Sequence, residues 1–267
     1  MLRSPRHPSI FSRPLLLVTT ALAIGLSVLS ADPARALVRL DFEQKYLVHP
    51  EVQTWDFCVV RHDGLYHAFY TAIPDELAHS TYADSLQHAT SPDLKHWTLE
   101  GPVLVVGTGV HDENALWAPD VVWDEDTQLW HMAYTSADPF HVQRICFATS
   151  TDLYEWTPDW GNPIVEPEPD MGYIWAPDRY WSDFRDPYLY REDGLWHMTV
   201  SAKITGLPNG RGVIAHATST DLVNWTELDV LLANDGETPE ATLESSQYHE
   251  VTGGQLLLNE MDTIYTA

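Results

Sequence analysis

The chain holds 267 residues, with 39 Asp and Glu against 14 Lys and Arg and a formal net charge of −25. That balance excludes nucleic acid and anionic membrane surfaces as partners, because both repel a strongly acidic protein, and it disfavours an acidic polysaccharide as substrate. Eleven tryptophans supply flat amphipathic rings, which either stack on sugars or fill a β-rich core.

At the start of the chain Arg3, Arg6 and Arg13 precede the uncharged, largely apolar run 15–30, and Ala34-Arg35-Ala36 follows as a small-x-small pattern. This order predicts a secretory signal over 1–36. The run is shorter than the roughly 20 residues of a spanning helix, so cleavage is favoured over a retained anchor. The mature chain, 37–267, is then a secreted protein, extracellular or periplasmic, with no membrane segment.

The next residues, 37–50, are expected to form an outer strand. Beyond them one signature recurs three times, as HATSPDLKHW at 88–97, FATSTDLYEW at 147–156 and HATSTDLVNW at 216–225. A second signature precedes each copy: DGLYHAFYTA at 63–72, TQLWHMAYTSA at 127–137 and DGLWHMTVSAK at 193–203. A weaker start, GGQLLLNEM, stands at 253–261. Asp-Gly between apolar runs marks tight hairpins, and sustained 3.6-residue periodicity is absent. Units of roughly 60 residues built from short antiparallel strands predict the blades of an all-β propeller. The blades fall at 51–105, 113–165 and 180–232, a fourth begins near 240, and loops occupy 106–112, 166–174 and 233–240. A β-sandwich would leave the triplicated motif unexplained.

Measured back from the hairpins, three acids share one offset. Asp56, Asp120 and Asp186 each stand ten residues before Tyr66, Trp130 and Trp196, and Glu244 lies slightly further from its Gly-Gly turn. Inner strands of a propeller surround its axis, so equivalent positions converge at one end of the channel. Crowded carboxylates raise one another's pKa values, which suits acid–base work, and glycosidic cleavage needs two of them. Each acid alone also fits a turn or strand-end role. Two more features stand beside them: Trp-Ala-Pro-Asp occurs at 117–120 and 175–178, and Arg185 precedes Asp186. Trp55, Trp117 and Trp175 either line sugar subsites or pack between blades. Arg185 either binds sugar hydroxyls or holds Asp186. The repeated Trp97, Trp156 and Trp225 are expected to be blade core.

Thirteen His show no tight ligand spacing, so no metal and no cofactor are expected. Cys58 and Cys146 fall in different predicted strands, and either a disulfide or two free thiols is compatible with export.

The motifs Trp181-Ser182-Asp183-Phe184-Arg185-Asp186-Pro187 and Trp117-Ala118-Pro119-Asp120, with the Ala-Thr-Ser-x-Asp-Leu-x-x-Trp repeats, resemble the five-bladed propeller glycosidases of glycoside hydrolase families 43, 62, 32 and 68. The first motif is similar to the Arg-Asp-Pro motif of family 32, the second to the second-blade motif of family 43. The resemblance implies a secreted glycoside hydrolase acting on arabinofuranosyl, fructofuranosyl or xylosyl units. It also implies site roles: Asp56 as nucleophile in retaining members or base in inverting ones, Asp186 as transition-state stabiliser, Glu244 as general acid. Phe57 stands where relatives commonly have Pro, and Ser245-Ser246 where Cys-Pro or Gly-Pro is usual. A fifth blade is not found within these 267 residues. These departures sustain a rival reading, a non-catalytic carbohydrate-binding propeller or an inactive fragment. Trp-Ala-Pro-Asp, and the lack of Asn before Asp56, tilt the expected stereochemistry toward inversion.

Overall fold

A computed structural model of the chain describes residues 47–75, 82–166, 183–204, 211–233, 241–251 and 254–263, the last two ranges by their strand pairing alone. All of these lie in one unit, Arg39–Ala267. No α-helix occurs among the described residues. The predicted signal segment 1–36 lies outside them. Of the expected outer strand at 37–50, only 47–50 are described, and they carry no strand.

Each repeat folds as an up-and-down antiparallel sheet. The first blade is β1 (Val52–His62), β2 (Leu65–Pro74), β3 (Ser85–Ser91) and β4 (Thr98–Val105). The second is β5 (Ala115–Asp124), β6 (Leu129–Ala137), β7 (Gln143–Ser150) and β8 (Thr157–Pro158), and the third is β9 (Phe184–Glu192), β10 (Leu195–Ile204), β11 (Arg211–Ser219) and β12 (Asp229–Ala233). Strand order within each follows the chain. β13 (Ala241–Val251) and β14 (Gly254–Thr263) pair as a separate two-stranded sheet. The expected blades are therefore present, with boundaries within a few residues of those read from the repeats.

The second strand of each blade is buried along nearly its whole length. A strand covered on both faces reads as a continuous apolar run rather than an alternating one, which is the reason for the YHAFYTAI and WHMAYTSA stretches. The sheets stack through side chains of adjacent blades. Phe69 and Leu86 meet Trp130, Met132 and Trp156 in one cluster, and Ile145 and Phe147 meet Trp196, Met198 and Val213 in the next. The innermost strands follow one another, β1 against β5, β5 against β9, β9 against β13.

The turns explain the repeated motifs. Asp63-Gly64 and Asp193-Gly194 are two-residue hairpins with every residue at positive φ, a geometry that matches strand twist and is accessible to Asp-Gly. In the Ala-Thr-Ser-x-Asp-Leu-x-x-Trp turn, Asp152 Oδ1 accepts the amides of Tyr154 and Glu155, Leu153 turns left-handed at φ 71, and Trp156 Nε1 donates to the Leu153 carbonyl. The Asp93 and Asp221 turns repeat the carboxylate part of this pattern. The motif is a folding device. Both cysteines are free thiols, Cys146 donating to Ser136 Oγ at 3.2 Å.

Candidate active site

Every inner strand carries a β-bulge at the same level. Trp55 faces Thr71, Trp117 faces Thr135, Arg185 faces Ser201 and Glu244 faces Glu260. Immediately beyond each of these pairs the ladder slips. The bulged residues Asp56, Ala118 and Asp186 adopt φ values of 36°, 47° and 57°. A left-handed non-glycine residue costs about 1–3 kcal/mol and persists only where its surroundings hold it; Asp tolerates it better than most. Bulges re-aim side chains, and here they re-aim Asp56 and Asp186.

Two hydroxyls hold these bulges from the neighbouring blade. The Ala118 amide donates to Thr71 Oγ1 at 2.9 Å. The Asp186 amide donates to Thr135 Oγ1 at 3.0 Å.

Arg185 is the hub of the charges. Its Nη1 lies 2.7 Å from Asp183 Oδ1 and its Nε 3.8 Å from Asp186 Oδ2, and Lys203 Nζ lies 2.6 Å from Asp183 Oδ2. Burial disfavours the guanidinium charge, yet the carboxylates of Asp186, Asp183 and Asp56 outweigh it and raise the Arg185 pKa. The guanidinium thus pairs with acids of its own blade and also feels the charge of Asp56 in the first. Burial also works against the Asp183 carboxylate, and Arg185 and Lys203 together hold its pKa below the usual range.

Asp183 and Lys203 were not among the residues singled out from sequence. The legible signals were a lysine ending an apolar strand in a chain poor in lysine, and an aspartate two residues before Arg185.

The equal ten-residue offset of Asp120 conceals a longer turn. The β5–β6 connection holds four residues, 125–128, where the β1–β2 and β9–β10 turns hold two. The register therefore places Asp120 opposite Ala133, level with Cys58 opposite Phe69 and Tyr188 opposite Thr199. Asp120 is two residues deeper than Asp56 and Asp186, and Ala118 occupies their level in the second blade. Asp120 Oδ2 accepts the Leu189 amide at 2.7 Å and shares a hydrogen bond with the Cys58 thiol. Burial pushes its pKa up to about 6. Burial, then the charge of Asp120, raises the Cys58 thiol well above its ordinary value and lifts Tyr188 as well. Asp120 joins β1, β5 and β9 at the axis.

The remaining candidates divide by exposure. Trp55 is 50% exposed beside the exposed Asp56, open to a ligand. Trp117 is 7% exposed and packs with Ile73, Ala83 and Ala137, the packing alternative of the two considered. Glu244 stands by register level with Trp55, Trp117 and Arg185, one residue before the level of Asp56 and Asp186. Trp175 lies outside the described residues. Among the described residues no group of three or more His, Cys, Asp or Glu is arranged to hold a metal ion.

Comparison with known proteins gives the family and the fold. The glycosyl hydrolases family 32 N-terminal domain matches residues 58–254. The vacuolar acid beta-fructofuranosidase 2 of a Rosa hybrid cultivar is 30% identical over 176 residues, 63% of this chain and 25% of its own length. Bombyx mori GH32 beta-fructofuranosidase BmSUC1 superposes with a TM-score of 0.64 at 22% identity, covering 80% of this chain and 42% of its own. A thermostable family-43 glycoside hydrolase superposes with a TM-score of 0.60 at 18% identity, over 79% of this chain and 65% of its own. The chain thus spans a quarter of the length of the rose relative, and its sheets are blades of the five-bladed glycosidase type of propeller. From the family match over 58–254, and the Arg185-Asp186-Pro187 motif set on a strained bulge, the chain belongs to glycosyl hydrolase family 32.

Proposed function

We propose that the chain is the sugar-cleaving portion of a secreted glycoside hydrolase that removes β-fructofuranosyl units from sucrose or short fructans. The observation that carries this reading is the pair of left-handed bulges that set Asp56 and Asp186 at one level of the inner strands, with Arg185 Nε 3.8 Å from Asp186 Oδ2. The beta-fructofuranosidase name of the rose relative supports fructofuranosyl among the three sugar classes that the sequence left open. Export rests on the leader-like residues 1–36.

In this reading Asp56 attacks the anomeric carbon of the fructofuranosyl unit while Glu244 gives its proton to the departing glycosidic oxygen. The C–O bond breaks, and a covalent sugar ester forms on Asp56. Glu244, now a carboxylate, takes a proton from water, and the water oxygen displaces Asp56 with net retention. Asp186 and Arg185 bind ring hydroxyls, their charges set against one another so that neither is bare in the partly buried site. Retention is read here in place of the expected inversion, which leaned on Trp-Ala-Pro-Asp and on the lack of Asn before Asp56. Asp120 of that motif is engaged by Leu189 and Cys58 below the level of the bulges, and Arg185-Asp186-Pro187 supports the retaining alternative. Trp55, half exposed beside Asp56, offers its ring to the sugar.

The test is incubation of the 267-residue chain with sucrose, 1-kestose and aryl glycosides of arabinofuranose, xylose and galactofuranose. Release of fructose from the first two, with the fructose first appearing in the β configuration by NMR, supports the reading. Turnover of the aryl glycosides alone, or none at all, rejects it.

A further inference from the structure

Ser201 is the third member of a series whose first two members are Thr71 and Thr135. Each faces the residue before a bulge within its own blade: Thr71 faces Trp55, Thr135 faces Trp117, Ser201 faces Arg185. Each of the two threonine hydroxyls accepts the amide of the first bulged residue of the next blade, Ala118 or Asp186. In the third copy the hydroxyl of Ser201 is fully buried and has no hydrogen-bond partner among the described residues.

A buried hydroxyl left unpaired is destabilising, and such groups are uncommon in folded chains. The strand that should supply the partner is in place. β10 lies against β13 as β2 lies against β5 and β6 against β9. In β13 the residue at the level of Ala118 and Asp186 is Ser245, since Glu244 faces Glu260 and the ladder slips immediately beyond. The amide of Ser245 belongs to the peptide bond that joins it to Glu244. Serine carries its hydroxyl on the same carbon as threonine, and its χ1 turns among three staggered wells.

We propose that Ser201 is a positioning residue: its hydroxyl accepts the Ser245 amide and so fixes the peptide that carries Glu244. The inference rests on the reading of Glu244 as the general acid, and it adds the group that holds that acid in place. The three latches then form one device. The hydroxyl of each blade sets the bulge of the next, and the two bulges that follow the second and third blades carry the Asp186 and Glu244 segments.

The experiment is residue-resolved amide hydrogen exchange in β13, on the 267-residue chain and its Ser201→Ala, Ser201→Thr and Thr71→Ala variants, followed by sucrose kinetics. Ser201→Ala should speed exchange of the Ser245 amide about tenfold, the equivalent of roughly 1.4 kcal/mol. Thr71→Ala should leave that amide unchanged, and Ser201→Thr should exchange no faster than the parent. In the kinetics Ser201→Ala should lower kcat with KM nearly constant, and Ser201→Thr should restore it. Unchanged exchange at Ser245 in a folded Ser201→Ala chain overturns the latch. An unchanged kcat alongside faster exchange overturns the positioning role. If Ser201→Ala does not fold, faster exchange in Ser201→Thr overturns the latch by itself. A parent chain that cleaves no sucrose defeats the functional reading, while the exchange result still decides the latch.

Discussion

Thr135 accepts the amide of Asp186 across the junction of the second and third blades at 3.0 Å, the relationship Thr71 holds to Ala118 at 2.9 Å one blade earlier. The two contacts are chemically alike and functionally unequal, because only one of them holds an acid. Thr135→Val keeps the shape and removes the acceptor, leaving an amide unpaired at a cost of about 1–3 kcal/mol. Thr71→Val should cost a similar amount in urea unfolding. Sucrose turnover should separate them: Thr135→Val loses activity well beyond its loss of folded population, and Thr71→Val does not. Equal losses of activity would show that the hydroxyls serve folding alone.

Asp120 should give the protein a stability term that runs opposite to ordinary acid denaturation. Its pKa is raised from 3.8 to about 6, mainly by burial. The folded state therefore binds the proton more tightly than the unfolded state, and between about pH 4 and 6 stability contributed by this group falls as pH rises. Above pH 6 the full penalty of the ionised carboxylate is present, about 1–3 kcal/mol from a shift of this size. Asp120→Asn keeps an oxygen for the Leu189 amide and removes the titration. Denaturant unfolding at pH 4.5 and pH 7.5 should show the Asn variant gaining on the parent as pH rises. A constant difference at the two pH values would show that Asp120 is not the titrating group.

Much of this architecture is legible in the residues alone, and the parts that are not have identifiable causes. The Ala-Thr-Ser-x-Asp-Leu-x-x-Trp turn repeats because a carboxylate must accept successive amides there, so each copy marks the end of a third strand. Asp56 and Asp186 are readable because their hairpins have equal two-residue turns. Asp120 is misaligned by the same arithmetic, since two extra turn residues are invisible to an offset counted from Trp130. Thr71, Thr135 and Ser201 recur at one position of the second repeated signature, but the repeat does not tell what their hydroxyls meet. They read as ordinary strand residues, and only the meeting of adjacent blades gives their hydroxyls a task.

Lys203 should be the costliest surface-remote charge to remove. Its side chain is 5% exposed and lies 2.6 Å from Asp183 Oδ2. Lys203→Met leaves Asp183 buried with Arg185 as its remaining cation among the contacts described, and breaking a buried pair costs about 3–5 kcal/mol. Asp183 then draws more of the Arg185 charge, to the detriment of Asp186. The double variant Lys203→Met, Asp183→Asn removes both members and should recover part of the stability. A double-mutant cycle by urea unfolding measures the coupling, and a coupling near zero would reduce the pair to a bystander.

The carboxylates themselves give the sharpest separation of roles. A nucleophile is needed whatever the leaving group, whereas a general acid matters in proportion to the basicity of the oxygen it protonates. Asp56→Asn should therefore abolish turnover of sucrose and of fructosides with acidic leaving groups alike. Glu244→Gln should lose about 10²–10⁴-fold on sucrose, the range usual for general acid catalysis, and far less on an activated fructoside whose leaving group departs unprotonated. With such a substrate the Glu244→Gln chain still forms the ester on Asp56 but lacks the base that activates water, so a burst of leaving group should precede a slow steady state. Adding azide, which needs no base, should speed that steady state and yield a fructosyl azide with the configuration of the substrate, as two successive inversions require. An azide product of opposite configuration would mean direct displacement at the anomeric carbon, with Asp56 acting as a base rather than as a nucleophile.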